Sequence, residues 1–300
     1  APHLQAALIP DAVRIAERPH QRTAWFWAGI TASLSVLAVF KYTGFAVSTL
    51  EMIWGAFGAS LPFSTAFAQK ILLPVGISFY TFQAVSYLVD VYRENLAPET
   101  SVLDYALYVS FFPQLVAGPI VRATDFLPQL KTERTFPAEN ASAQGMVRIA
   151  MGLFKKIVIA DYIAINLVDR VFDAPEMMSS LETIAGIYGY TLQIYCDFSA
   201  YSDIAIGSAM LLGFSLPENF RAPFLAENLS DFWKRWHISL SSWLKDYLYI
   251  PLGGNRHGQA RTLANLLITM LLGGLWHGPS WTFVFWGFLH GAGLVAMRIA

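Results

Sequence analysis

Residues 262–300 read TLANLLITMLLGGLWHGPSWTFVFWGFLHGAGLVAMRIA, two apolar stretches hinged at Gly278-Pro279, with His277 at the hinge. An α-helix crossing hydrocarbon needs about 20 mainly apolar residues, and each stretch approaches that length. An imidazole in such surroundings is costly without a partner or water, so an intramembrane histidine is by default a functional hypothesis. His277 is the first candidate for chemistry. Gly273-Gly274, Gly278 and Pro279 around it permit irregular backbone, which hydrocarbon tolerates only where it is buried in protein or lines a cavity.

The rest of the chain has the same character. Of its 300 residues 55% are hydrophobic and 14% charged, with nine Trp and twenty-two Phe. Soluble domains carry about 25% charged residues, so the composition predicts an all-α, multi-pass membrane protein. Net charge is −1, and the adjacent cation pairs Lys155-Lys156 and Lys234-Arg235 make no basic stripe, which argues against nucleic acid as a partner. The lone cysteine, Cys196, excludes an intramolecular disulfide framework. Residues 1–24 read as a polar loop and 25–300 as one membrane domain. The chain opens without Met and ends inside an apolar run, so a fragment of a longer protein is expected.

Other apolar runs are less regular. Trp25 to Leu50 is a good span interrupted by Lys41, which is expected to snorkel to an interface. Ile71 to Val91 follows, with Pro74 near its start. Val102 to Val121 is broken by Pro113, Gly118 and Pro119 and reads as a re-entrant or broken helix buried in protein. Met146 to Phe172 carries Arg148, Lys155, Lys156, Asp161, Asp169 and Arg170, too many charges for lipid, and Thr183 to Phe214 holds Asp197 and Asp203.

Helical periodicity over Asp231 to Leu248 gathers Asp231, Lys234, Arg235, Lys245 and Asp246 on one side. Trp233, Trp236, Leu240, Trp243, Leu244 and Tyr247 gather on the other. A single amphipathic helix with its tryptophans at the headgroup boundary is expected. His237 sits at the rim of its Trp face, as a packed structural histidine or a second active-site one. The turn after it, YIPLGGNRHG at 249–258, offers glycine-rich backbone with Arg256 and His257, either an anion nest or a basic turn on the cytoplasmic side.

Several stretches then match something specific: PVGISFYTFQ (74–83), YLVDVYR (87–93), FFPQLVAGPIVR (111–122), YCDFSAYSD (195–203), Asn219-Phe220, FWKRWHISLS (232–241) and LWHG (275–278). In this order and from about Trp25 onward the chain resembles the membrane-bound O-acyltransferase family. The similarity is greatest to the bacterial branch that acetylates alginate, with the branch that transfers D-alanine to teichoic acids a near cousin. The resemblance implies a ring of transmembrane and re-entrant helices around a thin centre, with a funnel open to the cytoplasm. It maps the family's hallmark histidine onto His277 and its second histidine onto His237, flanked by Trp233, Trp236 and Trp276 as supporting residues. It further implies acetyl-CoA or another acyl thioester as donor substrate with no bound cofactor, and a hydroxyl of an exported polysaccharide as acceptor. Extracytoplasmic acetyltransferase partners of the SGNH type and a location in the bacterial inner membrane complete that expectation.

His277 is then the proposed general base, worth about 10²–10⁴-fold in rate, with a covalent acyl-histidine the open alternative. Arg256, Gly253 and Gly254 are candidate contacts for donor phosphates. No metal site is expected. Asp197, with Tyr201 on the same helical face, either orients a histidine or pairs with Lys155, Lys156 or Arg235. Cys196, beside a carboxylate in apolar surroundings, is a poor nucleophile candidate. His290 lies thirteen residues past His277, about 20 Å along an unbroken helix, and is expected outside the site. His3, His20 and His257 read as solvated loop residues, and Asp90 with Arg93 as an interfacial ion pair. A transporter or channel is the rival class, since broken helices with intramembrane charges also mark ion paths.

Overall fold

The Gly278-Pro279 hinge forms a helical hairpin. Helix α13 (Gly258–His277) stops where Gly278 turns extended, at φ −160° and ψ 143°, and helix α14 (Trp281–Ile299) restarts after Pro279. Proline has no N–H to continue the ladder and disfavours helical backbone in the residue before it. Facing positions run in opposite directions, Gly274 against Phe283 and Gly287, Gly291 against Leu267, so the two helices are antiparallel. This computed structural model describes residues 19–61, 66, 68–115, 118–132 and 139–299, and the sequence expectations for 1–18, His3 included, lie outside them.

Among the described residues the regular structure is helical. Helix α1 (Pro19–Leu37) runs through a π-helical turn, Ala38–Tyr42, into α2 (Thr43–Ala56). Residues 19–24, expected as loop, are thus helical, and His20 is an exposed residue of the first turn. Gly76, at φ 76°, delays the start of α3 (Ile77–Tyr92), which has only 16 residues. The stretch expected as a re-entrant or broken helix is divided into α4 (Val102–Ser110) and α5 (Phe112–Leu115), and α6 (Ala123–Leu130) follows it.

Helix α7 (Glu139–Leu153) continues through π-helical turns and the short α8 (Asp161–Ile163) to α9 (Asp169–Asp173). It packs along α10 (Ser180–Leu211), which opens on a capping box between Ser179 and Glu182. Charges of the α7 to α9 segment pair against α10. Arg148 reaches Asp203 at 3.0 Å, Lys155 also bonds Asp203, and Lys156 lies 2.8 Å from both Asp161 and Asp197. With the charges so placed, Val147, Ile157 and Ile165 are left on the outer surface. An outward apolar face of this kind is what lipid contact requires, so pairing resolves the conflict between many charges and a membrane segment. Replacing Asp203 by Ala strips a shared partner from two half-buried cations. It is expected to lower thermal stability of the folded protein in detergent by about 1–3 kcal/mol, read as a lower unfolding midpoint than wild type.

Two described helical stretches are long and apolar enough to cross a membrane: the 37-residue His20–Ala56, with an 18-residue window of mean hydropathy 1.6, and the 19-residue Trp281–Ile299, with a window of 1.3. The longer spanning series read from the sequence is not reproduced by that criterion. The run at Ile71 to Val91 is shortened by the turn at Gly76.

The segment expected as one amphipathic helix is three pieces. Helix α11 (Leu229–Arg235) ends before Trp236, α12 (Ile238–Leu244) begins after His237, and a π-helical turn, Lys245–Tyr249, follows. The break corrects the placement of the tryptophans. Trp243 is buried, its ring stacked on Phe82 at 3.8 Å, and Phe82 stacks in turn on Trp276 at 5.1 Å. Together with Ile30, Val85, Ile120, Leu240 and Leu244 they form a core that backs the site. The Asp90 to Arg93 pair is also corrected. Asp90 is buried and accepts from the Tyr247 hydroxyl at 2.6 Å, while Arg93 donates to the Asp246 carbonyl at 3.2 Å.

Candidate active site

His277 is the last residue of α13, so the hinge that ends the helix also sets its ring at the wall of a cavity of about 710 Å³. His237 enters the same cavity from the junction of α11 and α12, where it adopts φ 43° and ψ 56°. Left-handed backbone costs a residue with a Cβ about 1–2 kcal/mol and persists only where the surroundings hold it. Here they do. Asn219, fully buried, accepts from the backbone N–H of Ser239 and from its hydroxyl at 2.9 Å, and donates to Ser202 at 3.1 Å. The Ile238 N–H donates to the Asn219 carbonyl at 2.9 Å, and Ser239 receives the N–H of Ile120. Asn219 thereby ties the His237 turn to α10 and to the chain before α6. The Asn219-Phe220 pair stands out in the sequence, but no local signal there marks Asn219 as the residue that holds this turn.

The two imidazole rings lie 6.1 Å apart, with Trp276 at 5.1 Å from His277 and 6.2 Å from His237. Phe198 meets the His237 ring edge-on at 4.6 Å. Aromatic and aliphatic side chains make up most of the remaining lining, among them Phe79, Ile194, Phe232, Trp236 and Phe283. Neither nitrogen of buried His237 has a hydrogen-bond partner among the described residues. An unpaired buried polar group costs about 1–3 kcal/mol, so the His237 ring carries unmet hydrogen-bonding capacity at the cavity wall.

His290 belongs to this cavity, contrary to the sequence expectation. The distance along an unbroken helix did not apply, because the hairpin folds α14 back past α13. Trp286 bridges the two, at 5.1 Å from His277 and 4.5 Å from His290, and Trp233 closes over His290 at 5.2 Å. Lys41 also lines the cavity. It turns inward rather than snorkelling outward, bonding Ser78 Oγ at 2.8 Å and the carbonyl of Trp276.

Two further cavities continue from His277. One of about 290 Å³ shares His277 and Trp286 with the first and passes Trp233, Lys234 and Gly273. The next, about 470 Å³, shares Ser230, Lys245, Tyr249, Leu266 and Leu294 with it and reaches Gly253, Gly254 and Arg256. Gly253 and Gly254 hold φ of 108° and 54°, backbone that glycine adopts without the Cβ penalty. The turn adds Arg256 to Lys245 and Arg298, with no carboxylate among the described residues that line this end. Lys245 and Arg298 were not legible as partners of Arg256, since they come from other elements. Asp197 and Tyr201 are not in the cavity lining: Asp197 pairs with Lys156, and Tyr201 is exposed. Among the described residues no group of three or more His, Cys, Asp or Glu could hold a metal ion.

Fold and site thus define a helical protein with lipid-suited outer faces and a histidine-bearing apolar cavity that leads to a cationic mouth. The family model for MBOAT, the membrane-bound O-acyltransferase family, matches residues 93–299. The chain belongs to the membrane-bound O-acyltransferase family. It is 43% identical over 287 residues to a protein described as a probable alginate O-acetylase of Pseudomonas putida, covering 96% of this chain and 57% of that one. A peptidoglycan O-acetyltransferase of Helicobacter pylori is 41% identical, covering 91% of this chain and 55% of that one. A teichoic acid D-alanyltransferase of Streptococcus thermophilus is 30% identical, covering 76% and 57%. The chain spans about half the length of the curated relatives it matches.

Proposed function

We propose that the full-length protein is an O-acyltransferase of the bacterial inner membrane, multi-pass, that moves an acetyl group from acetyl-CoA toward hydroxyls of an exported, alginate-like polysaccharide. Family membership supports acyl transfer over the transporter or channel reading. The observation that carries the site assignment is the pair of histidine rings 6.1 Å apart in one apolar cavity, with both nitrogens of His237 unpaired. The reading includes a ring of helices about a cytoplasmic funnel and extracytoplasmic, SGNH-type acetyltransferase partners. The D-alanyl alternative rests on the lower identity to the teichoic acid enzyme.

In this reading the acceptor hydroxyl attacks the thioester carbonyl while His277 takes its proton. The tetrahedral adduct then collapses, the C–S bond breaks, and the thiolate leaves with the proton that His277 returns. An apolar wall excludes water that would hydrolyse the thioester and strengthens each electrostatic contact inside. The cationic mouth suits the phosphates of a CoA donor, with the intermediate cavity carrying the thioester arm inward to His277.

Replacing Arg256 by Glu is expected to raise the apparent KM for acetyl-CoA by about three- to tenfold, the size of one partly screened charged contact. The KM for an acetyl thioester lacking phosphates should stay at the wild-type value. Equal KM for acetyl-CoA in wild type and variant removes the Gly253 to Arg256 turn from donor binding.

A further inference from the structure

We propose that Lys41 is a further catalytic residue, whose ammonium donates a hydrogen bond to the acyl carbonyl oxygen as that oxygen becomes an alkoxide. The inference rests on the acyl-transfer reading above. It starts from an irregularity in α1: the helix departs from its regular winding over Ala38–Tyr42, a π-helical turn. One-turn departures of this kind inside helices are frequent at functional sites, because they re-aim a side chain at the cost of ladder hydrogen bonds. Here the side chain re-aimed is the only cation among the described lining of the histidine cavity.

An ammonium has three N–H donors. Two are held by protein, one on Ser78 Oγ at 2.8 Å and one on the Trp276 carbonyl. The third is not engaged by either of these acceptors, and Lys41 is among the residues that line the cavity. The next residue, Tyr42, donates its hydroxyl to the Leu275 carbonyl at 3.1 Å, so the π-turn as a whole is fastened to the last turn of α13. Its ammonium lies 5.3 Å from the centre of the Trp276 ring. The cation is therefore fixed next to the residue that precedes His277, before any substrate arrives.

Attack of the hydroxyl oxygen on the thioester carbon moves the carbonyl π-electrons onto oxygen. The hydroxyl proton goes to His277, and the Lys41 N–H stabilises the alkoxide without giving up its own proton. When the C–S bond breaks, the electron pair leaves with sulfur, the carbonyl reforms, and Lys41 is unchanged. Preorganised donors aimed at developing charge in a water-poor site are worth about 10²–10³-fold in kcat each.

The competing role is purely structural, Lys41 serving only to hold Trp276 and thus His277 in place. Glutamine tests the charge, since it keeps two N–H donors one bond nearer the backbone than the ammonium but carries no charge. Full-length protein, as sole copy in membranes of its native host, is assayed for transfer of labelled acetyl from acetyl-CoA to envelope polymer, with Lys41→Met, Lys41→Gln and His277→Ala at matched protein level. Both Lys41 variants are expected to lose about 10²–10³-fold in kcat with apparent KM for acetyl-CoA within about threefold of wild type. Wild-type kcat in Lys41→Gln, or a loss confined to KM, overturns the proposal while His277→Ala stays inactive. Wild-type turnover in His277→Ala overturns the acyl-transfer reading of the cavity itself, and the role of Lys41 with it.

Discussion

Full-length protein carrying Gly287→Val is expected to fall well below wild type in folded membrane content, with the surviving fraction unfolding about 5–10 °C lower in detergent. A Cβ at Gly287 would stand 2.4 Å from the Met270 carbonyl oxygen and 3.1 Å from the Leu271 Cα, backbone atoms of α13 that cannot rotate away. Gly274 opposite is as tight, with the Phe283 carbonyl 2.3 Å from its added Cβ. Close helix approach across small residues is how membrane helices gain packing without a hydrophobic drive, so widening this hairpin removes its main attraction. A Cβ at Gly55 meets nothing within 4 Å, so Gly55→Val is expected to be silent. Size-exclusion profiles of fluorescent fusions give both outcomes in one experiment. Because α13 carries His277 and α14 carries Trp286 and His290, a parted hairpin also separates the cavity walls.

The second large effect is on rate. Full-length His277→Ala is expected to lose about 10²–10⁴-fold in acyl transfer, the worth of a positioned general base, at near-normal membrane abundance. Stability is spared because the removed ring borders two existing cavities, so no closed void is created. His237→Gln keeps a hydrogen-bonding side chain but is expected to lose at least tenfold, since the imidazole nitrogens have no protein partner to satisfy in the described structure. Full activity of that variant leaves His237 as a lining residue and puts proton transfer on His277 alone. Initial rates of labelled acetyl transfer across acetyl-CoA concentrations separate kcat from KM for each.

The hinge at Gly278-Pro279 was legible because proline chemistry is local: no N–H, and a restricted preceding residue. The helical class was legible from composition for a similar reason, since hydrocarbon admits few backbone solutions. What failed to read through were relations between elements. His290 was excluded by a distance along a straight helix, and the hairpin made that distance irrelevant. Trp243 was assigned to the headgroup boundary by its amphipathic face, whereas the break at Trp236-His237 lets it stack on Phe82 from α3. The left-handed conformation at His237 carries no local signal, because Asn219, eighteen positions earlier, holds it through Ile238 and Ser239. Lys41 looked like a snorkelling cation because nothing in the sequence marks a π-helical turn. Among the carboxylates, residue type gave the need for a partner but not its identity. Lys156, one of the three partners weighed for Asp197, pairs with it, and Lys155 pairs with Asp203.

The most direct test of a His277-centred acyl-transfer site is the ester-linked acetyl content of the exported polysaccharide. It is measured in cells whose sole copy is full-length wild type or His277→Ala, with membrane levels matched by blot. The account predicts acetyl esters in the wild-type polymer and their loss in the variant at equal protein. Equal acetylation in both strains would contradict it.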